Sequence, residues 1–385
     1  MISSTSSIFI SKSALENNFN FLRNRFGDDV VISSVIKGNA YGHGIKEYVP
    51  LAEACGINHF SVFSADEAYS VFEVANNNPT IMIMGEVSRA DLTWVIKNDI
   101  QFFVFELSRL DAAVDIAKQL EKKAKIHIEV ETGLNRTGFD EKELIILVDR
   151  IKENEAYLEI EGICTHYAGA ESVANYVRVK TQFNRFNKHY KWLVKNGIKP
   201  KLRHTACSAA AISYPKTCMD MVRIGILQYG FWPSRETFIE YISKSKSSDR
   251  QDPLKRVISW KSKVMSVKSV KTGEFIGYGT SFLAQQDMKI ASVPVGYSHG
   301  YSRALSNVGR ALINNVRVGV IGVVNMNMMM LDITEVDVEI GDEVVLIGSI
   351  NGLDISVASF GELSNQLNYE LLTRLPDRIP RKIIE

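Results

Sequence analysis

Cysteine is scarce in this 385-residue chain, and the four present, Cys55, Cys164, Cys207 and Cys218, form no CxxC pair. That argues against a disulfide framework and makes the cytoplasm the expected compartment. An excess of either charge is also lacking. Lys and Arg number 45 against 44 Asp and Glu, so nothing asks for a nucleic-acid or membrane surface. No uninterrupted apolar run reaches the length of a bilayer span. The opening residues lack the basic-then-apolar order of a secretory signal. The seven histidines show no HExxH or other close ligand spacing, so no metal is expected. Internal repeats and low-complexity tracts are absent as well.

What is present is a rhythm. Short apolar runs at 30–36, 59–63, 80–84, 101–105, 125–130, 158–164, 201–204 and 221–227 alternate with amphipathic stretches such as 107–120, 141–152 and 174–195. Eight strands with intervening helices predict an α/β fold with an N-terminal (β/α)8 barrel. The seventh and eighth helices look short. The pattern then changes. Residues 243–252 are polar and read as a linker or surface loop. Strand-like runs follow at 257–270, 290–295, 311–324, 328–333 and 343–347, punctuated by Gly and Asn-Asn. We therefore expect a barrel over 11–240 and a C-terminal β-rich domain over 241–385, with 7–10 adding a strand to either.

Catalytic residues of such a barrel stand at the C-terminal ends of its strands. The first run ends in Ile36-Lys37-Gly38-Asn39-Ala40-Tyr41-Gly42-His43-Gly44. A lysine there is a nucleophile if desolvation or nearby positive charge lowers its pKa; otherwise it snorkels from the rim. The fifth run leads to Arg136, between Gly133 and Gly138, where a guanidinium fork suits a carboxylate or simply faces solvent. His166 ends the sixth, a place where histidines are more often structural. Ser208 follows the seventh run. Gly225 lies late in the eighth, and loops after the seventh and eighth strands commonly bind phosphate, a role that Ser208 and Gly225 fit by position. Arg223 interrupts that otherwise apolar eighth run and needs a partner. In the second domain, Tyr278 stands between Gly277 and Gly279, and a phenol acts as a base only when cations lower its pKa.

Together these segments resemble the alanine racemase family of fold-type III pyridoxal-phosphate enzymes, from about Ile8 to Arg381. The most specific match is Lys37–Gly44, written Lys-Gly-Asn-Ala-Tyr-Gly-His-Gly; Gly277-Tyr278-Gly279 matches the segment of the catalytic tyrosine. The resemblance implies racemisation of a small amino acid, alanine first, by two bases on opposite faces of Cα. Lys37 would carry pyridoxal 5'-phosphate and serve the D side. Tyr278, from the other subunit of a homodimer, would serve the L side. Arg136 would help position Tyr278 and the substrate carboxylate. His166 would link Tyr278 to Arg223, which would donate to the cofactor's ring nitrogen. An arginine does not readily give up a proton, so that nitrogen would stay unprotonated. Tyr41, Ser208, Gly225 and Ile226 would contact the phosphate. Tyr297 would stand at the entrance, and Met326 would contact substrate through its backbone.

Several positions depart from the family pattern. Glu129 stands where many members carry a carbamylated lysine and could supply the same negative charge unmodified. Cys207 replaces an asparagine, while His299 and Asn327 replace acidic residues. Leu375-Pro376-Asp377-Arg378 lacks a tyrosine found in some members. These changes surround the pocket and its entrance, so they bear on substrate choice. A racemase of serine, or of a larger or basic amino acid, is the nearest rival. A fold-type III decarboxylase is disfavoured by Arg223 and by the lack of cysteine after Cys218. A non-catalytic cofactor carrier is disfavoured by the second domain.

Overall fold

The computed structural model describes residues 4–244, 251–356 and 369–385. Most of the polar stretch 243–252 lies outside them. The chain divides into two compact units. The first strand, β1 (Ser6–Ser11), belongs to the β-rich unit.

The barrel unit comprises Leu15–Lys37 and Val49–Lys255. Its strands are β2 (Val31–Val35), β3 (His59–Val62), β4 (Thr80–Ile83), β5 (Gln101–Val104), β6 (Ala124–Glu129), β7 (Leu158–Cys164), β8 (Leu202–His204) and β9 (Met221–Ile224). All pair in parallel, in the order β8-β7-β6-β5-β4-β3-β2-β9. A bridge between Cys207 and Arg223 joins the two ends, with Arg223 N donating to Ala206 O at 3.0 Å. The ring is thus nearly closed.

Helices cover the outside of such a sheet, so these strands are buried on both faces and read as apolar runs. β3, β5 and β9 are buried throughout. Between strands the sequence supplies helix signals. Leu107–Leu120 buries Leu110, Ala113, Val114 and Ala117, three to four residues apart. Glu141–Glu153 begins in a capping box, with Asp140 accepting from the Lys142 and Glu143 amides and Glu143 returning to the Asp140 amide. Met82, Phe103, Cys164 and Met221 pack together as part of the core.

The β-rich unit comprises Met1–Ala14, Gly38–Tyr48 and Arg256–Glu385. Its strands continue as β10 (Ile258–Lys263), β11 (Ser266–Val270), β12 (Met288–Val293), β13 (Arg310–Ile313), β14 (Val316–Ile321), β15 (Met329–Asp332), β16 (Glu343–Ile350), β17 (Leu353–Ile355) and β18 (Arg381–Ile384). The sheet runs β11-β12-β15-β14-β13-β16-β10-β1-β18, with β17 on β16. β1 pairs antiparallel with β10 and parallel with β18. The runs at 257–270 and 311–324 each become two strands, and β17 lies beyond the run at 343–347. Asn314 and Asn315, at φ 47 and 64, turn β13 into β14, and Asn351 and Gly352, at φ 47 and 84, turn β16 into β17. Two consecutive positive φ values give the type I′ turn that tight hairpins prefer. No helix among the described residues is long and apolar enough to cross a membrane. No cluster of three or more His, Cys, Asp or Glu among them could hold a metal ion.

Candidate active site

The parallel register brings the candidate residues of the barrel unit to one face. Ser34 of β2 lies beside Ile224 of β9, so Lys37 and Gly225 leave neighbouring strands at their C-terminal ends. Ile36 N extends the ladder to Ser61 O at 2.9 Å, and Lys37 is the next residue. Lys37 is exposed, yet the protein around it strips part of the hydration of its amine. That loss, then Arg136 and also Arg223, hold the amine below its ordinary pKa; Glu67 partly opposes them. A lysine with a lowered pKa is a better nucleophile and base near neutrality.

Arg223 is 5 % exposed. Its Nη2 donates to Thr165 O at 2.7 Å, and its Nη1 meets His204 Nδ1 at 2.6 Å and donates to His204 O at 3.0 Å. Phe103 lies beneath the guanidinium, with its ring centroid 5.7 Å away. Arg223 therefore has polar partners on the protein side, as a buried guanidinium requires. His166 shares this environment. Burial first, then Arg223, Arg136 and Lys37, push its pKa down to about 3, so the ring is neutral at physiological pH. Glu129 is buried at 5 % exposure. Burial raises its pKa, against a hydrogen bond from Thr137 and the charges of Arg223 and Arg136.

Below the β8–β9 junction, Gly225 N donates to Ser208 Oγ at 3.0 Å. Ser208 opens the short helix Ser208–Ser213, and Ile226 begins the turn Ile226–Tyr229. Polar backbone and hydroxyl groups at this corner suit an anion better than a cation. Cys207 precedes Ser208, and burial raises its thiol pKa; the protonated thiol adds no negative charge here.

The residues after Lys37 adopt an unusual backbone. Gly38, Asn39, Ala40 and Tyr41 have φ of 63, 53, 52 and 50. Gly42 N donates to Gly38 O at 3.0 Å and closes one left-handed turn. Each non-glycine residue in that region costs about 1–2 kcal/mol, so surrounding contacts must hold it. They come from within the β-rich unit. Ile45 N donates to Asn39 Oδ1 at 2.8 Å, Asn39 Nδ2 donates to Asp377, and Arg381 Nη2 donates to Gly42 O at 3.0 Å. Tyr41 packs edge-on against Tyr369, ring centroids 5.7 Å apart. Asp377 and Arg381 thus hold the turn, a role the sequence did not reveal.

The remaining candidates lie in the same unit. Tyr278 is 73 % exposed, between Gly277 and Gly279 at φ 79 and 67. Tyr297 and Met326 are brought together: Tyr297 N donates to Asn325 O and Ser298 N to Met326 O, both at 3.0 Å. Asn327 Oδ1 accepts from Ser298 Oγ at 2.7 Å, and Arg378 Nη2 donates to Ser298 O at 2.7 Å. His299 Nδ1 accepts from Gly296 N at 3.3 Å. The departures at 299 and 327 therefore build one polar turn beside Tyr297.

Sequence reading passed over the polar groups behind Arg223, namely His204, His127 and Gln101. The available signal was strand parity. His127 and Glu129 are two apart on β6, and successive odd positions of a strand share a face.

The family model described as alanine racemase, N-terminal domain, matches residues 10–233, and that described as alanine racemase, C-terminal domain, matches 257–383. A protein named alanine racemase from Methanococcus maripaludis is 34 % identical over 374 residues, 97 % of this chain and 96 % of its own length. A solved alanine racemase structure from Clostridium difficile superposes with a TM-score of 0.90 at 28 % identity, covering 100 % of this chain and 97 % of that one. The alanine racemase from Bacillus anthracis with bound L-Ala-P gives 0.90 at 30 % identity, with 100 % and 96 % coverage.

Proposed function

Because this chain belongs to the alanine racemase family, whose cofactor is pyridoxal 5'-phosphate, we propose that it is an isomerase interconverting L- and D-alanine. The observation that carries the proposal is Lys37. Its amine leaves a buried strand at the barrel mouth, is held below its ordinary pKa, and lies within the electrostatic reach of Arg136 and Arg223.

The residues fit the cofactor. Lys37 would hold it through the amine. Ser208, Gly225 and Ile226 offer a hydroxyl and backbone groups to a phosphate, and Tyr41 keeps the phosphate role that the resemblance implies. Arg223 would donate to the ring nitrogen. When bound, the cofactor supplies an electron-withdrawing ring that acidifies the substrate's Cα–H. Lys37 would move the proton on the D side of Cα and Tyr278 on the L side. Two bases are needed because one returns the proton to the face it left. Arg136 would orient the substrate carboxylate, a task for its two-pronged fork. Neutral His166 would link Tyr278 to Arg223. Met326 would contact substrate through its backbone, and Tyr297 would line the entrance.

The active unit in this proposal is a homodimer. Tyr278, Met326 at 55 % and Phe275 at 53 % exposure are large apolar groups open to solvent in the β-rich unit, and a second copy would cover them. Free Cys55, Cys164, Cys207 and Cys218 support a cytoplasmic location.

The test is to incubate the purified protein and cofactor with each L-amino acid and measure the D-enantiomer. Alanine should be converted fastest. Faster conversion of serine or of a basic amino acid would replace alanine as the substrate, and absence of any D-product would overturn racemisation.

A further inference from the structure

A TIM-type barrel usually fills its interior with branched aliphatic side chains. Here four strands, β5 and β6 on one side of β7 and β8 and β9 on the other, place polar groups on one connected path. β5 begins with Gln101, β6 contains His127, β8 ends in His204, and β9 contains Arg223. All four are at most 9 % exposed. Arg223 Nη1 meets His204 Nδ1 at 2.6 Å, His204 Nε2 meets His127 Nδ1 at 2.8 Å, and His127 Nε2 meets Gln101 Oε1 at 2.7 Å.

The chemistry of the first member sets the direction of the rest. A guanidinium only donates, so His204 Nδ1 must accept. The proton of a neutral His204 is then on Nε2 and points at His127 Nδ1, which must accept in turn. His127 therefore carries its proton on Nε2 and donates to Gln101 Oε1. Each imidazole uses one donor and one acceptor, and the path has a single polarity. A second proton on either ring would set two N–H groups face to face. Burial first, and then neighbouring positive charge, including Arg223, keep both rings neutral. His59 also faces them and adds to that effect.

Gly162 of β7 makes the path sterically feasible. A Cβ at residue 162 would clash with His127 Nδ1 and come within 2.9 Å of His204 Nε2, the two atoms that bond each other. The register of β6 on β7 shifts between Ile126 and His127, which brings Gly162 beside His127.

We propose that Gln101, His127 and His204 are positioning residues that fix the direction of the Arg223 guanidinium through a neutral, one-way hydrogen-bond chain running behind the candidate active site. Its catalytic meaning rests on the reading that Arg223 faces the cofactor's ring nitrogen. The chain holds the inner edge of the fork, Thr165 O holds Nη2, and Phe103 supports its face. The fork has nowhere to turn, so its remaining donor edge keeps one orientation during turnover.

Two measurements decide the matter. The first uses the cofactor-free full-length protein with 15N-labelled histidine. His127 and His204 should both be neutral with the proton on Nε2 from pH 5 to 9. Protonation of either ring, or a proton on Nδ1, would overturn the chain. This arm is decided whether or not the protein racemises anything, so its failure is distinct from failure of the proposed function. The second compares cofactor-loaded His204→Leu and His204→Asn with the unmodified enzyme. A carboxamide oxygen can replace the Nδ1 acceptor; leucine cannot. Loss of one charge-assisted bond predicts a tenfold to hundredfold fall in kcat for His204→Leu, on the order of its usual contribution, with KM nearly unchanged. It should also release more pyruvate per racemisation: with the guanidinium less firmly aimed at the ring nitrogen, the proton taken from Cα would more often be returned to the cofactor than to Cα, the amino group would stay there, and water would release the keto acid. His204→Asn should recover most of the loss. Equal kcat and equal pyruvate release in all three would make the chain structural only. If His204→Leu does not fold, Gln101→Leu at the far end replaces it: the His127 proton should stay on Nε2, because Arg223 sets the direction, while its N–H signal loses the shift of a hydrogen-bonded proton, and a proton moved to Nδ1 or an unaltered Nε2–H signal would overturn the proposal.

Discussion

The backbone carbonyl of Leu372 occupies the space that a side chain at Gly42 would need. A Cβ at residue 42 would lie 2.7 Å from the Leu372 carbonyl carbon and closer still to its oxygen. Gly42 also has φ 78 and closes the left-handed turn that follows Lys37. We expect Gly42→Ala to cost at least about 2 kcal/mol, from the clash together with the strained backbone. Because that turn carries Tyr41, cofactor affinity should weaken along with stability. Urea unfolding and cofactor titration check both, and an unchanged midpoint would contradict the assigned packing.

A shared active site has an arithmetic consequence. Lys37→Ala and Tyr278→Phe should each lose racemisation, by about 10²–10⁴-fold for a missing acid–base group. Refolding the two inactive variants together gives mixed dimers in which one site has both intact residues and the other has neither. A random equal mixture should then regain about a quarter of the unmodified activity. If each subunit used its own pair, the mixture would stay inactive.

His59 is buried, and neither ring nitrogen has a hydrogen-bond partner among the described residues. Burial pushes its pKa down to about 4. The unfolded chain takes up a proton near pH 6.5, and the folded one resists until about 4. Stability contributed by the neutral ring is therefore full above pH 6.5 and falls as the pH drops towards 4, by about 1.4 kcal/mol per pH unit. His59→Leu should remove this slope and add about 1–3 kcal/mol by eliminating two unsatisfied atoms. Urea unfolding from pH 4 to 8 tests it; a slope identical to that of the unmodified protein would reject the assignment.

Glu129 has the opposite sign. Burial raises its folded pKa, so the folded state holds the proton more tightly than the unfolded one. Its contribution is most favourable below the unfolded pKa and is lost as the pH rises through the folded value. Glu129→Gln should gain about 1 kcal/mol of stability at pH 8. It should also lower kcat/KM, because Arg136 and Arg223 lose a nearby anion. A fall in stability at pH 8 would show that the carboxylate is better paired than its position suggests.

Much of the architecture was legible before any coordinates. All eight barrel strands lie within the apolar runs read from the sequence or differ by a residue at their ends, and 107–120 and 141–152 are helices. Strands covered on both sides must be apolar, and helices covered on one side must repeat near every third or fourth residue. Both periods survive without knowledge of tertiary contacts. Arg136, Lys37 and Arg223 were recognisable for a similar reason: each follows or interrupts an apolar run, where charge is costly and needs a purpose.

The sequence alone determined where the strands stand, which residues crown them, and the family to which their order belongs. Only the tertiary structure decided what holds those residues. The left-handed turn after Lys37 depends on Arg381, 339 residues away from Gly42 along the chain. His127 and His204 meet across 77 residues because Gly162 leaves room between their strands. Local propensity cannot encode such contacts, since neither partner bears a mark of the other until the barrel closes and the sheet assembles.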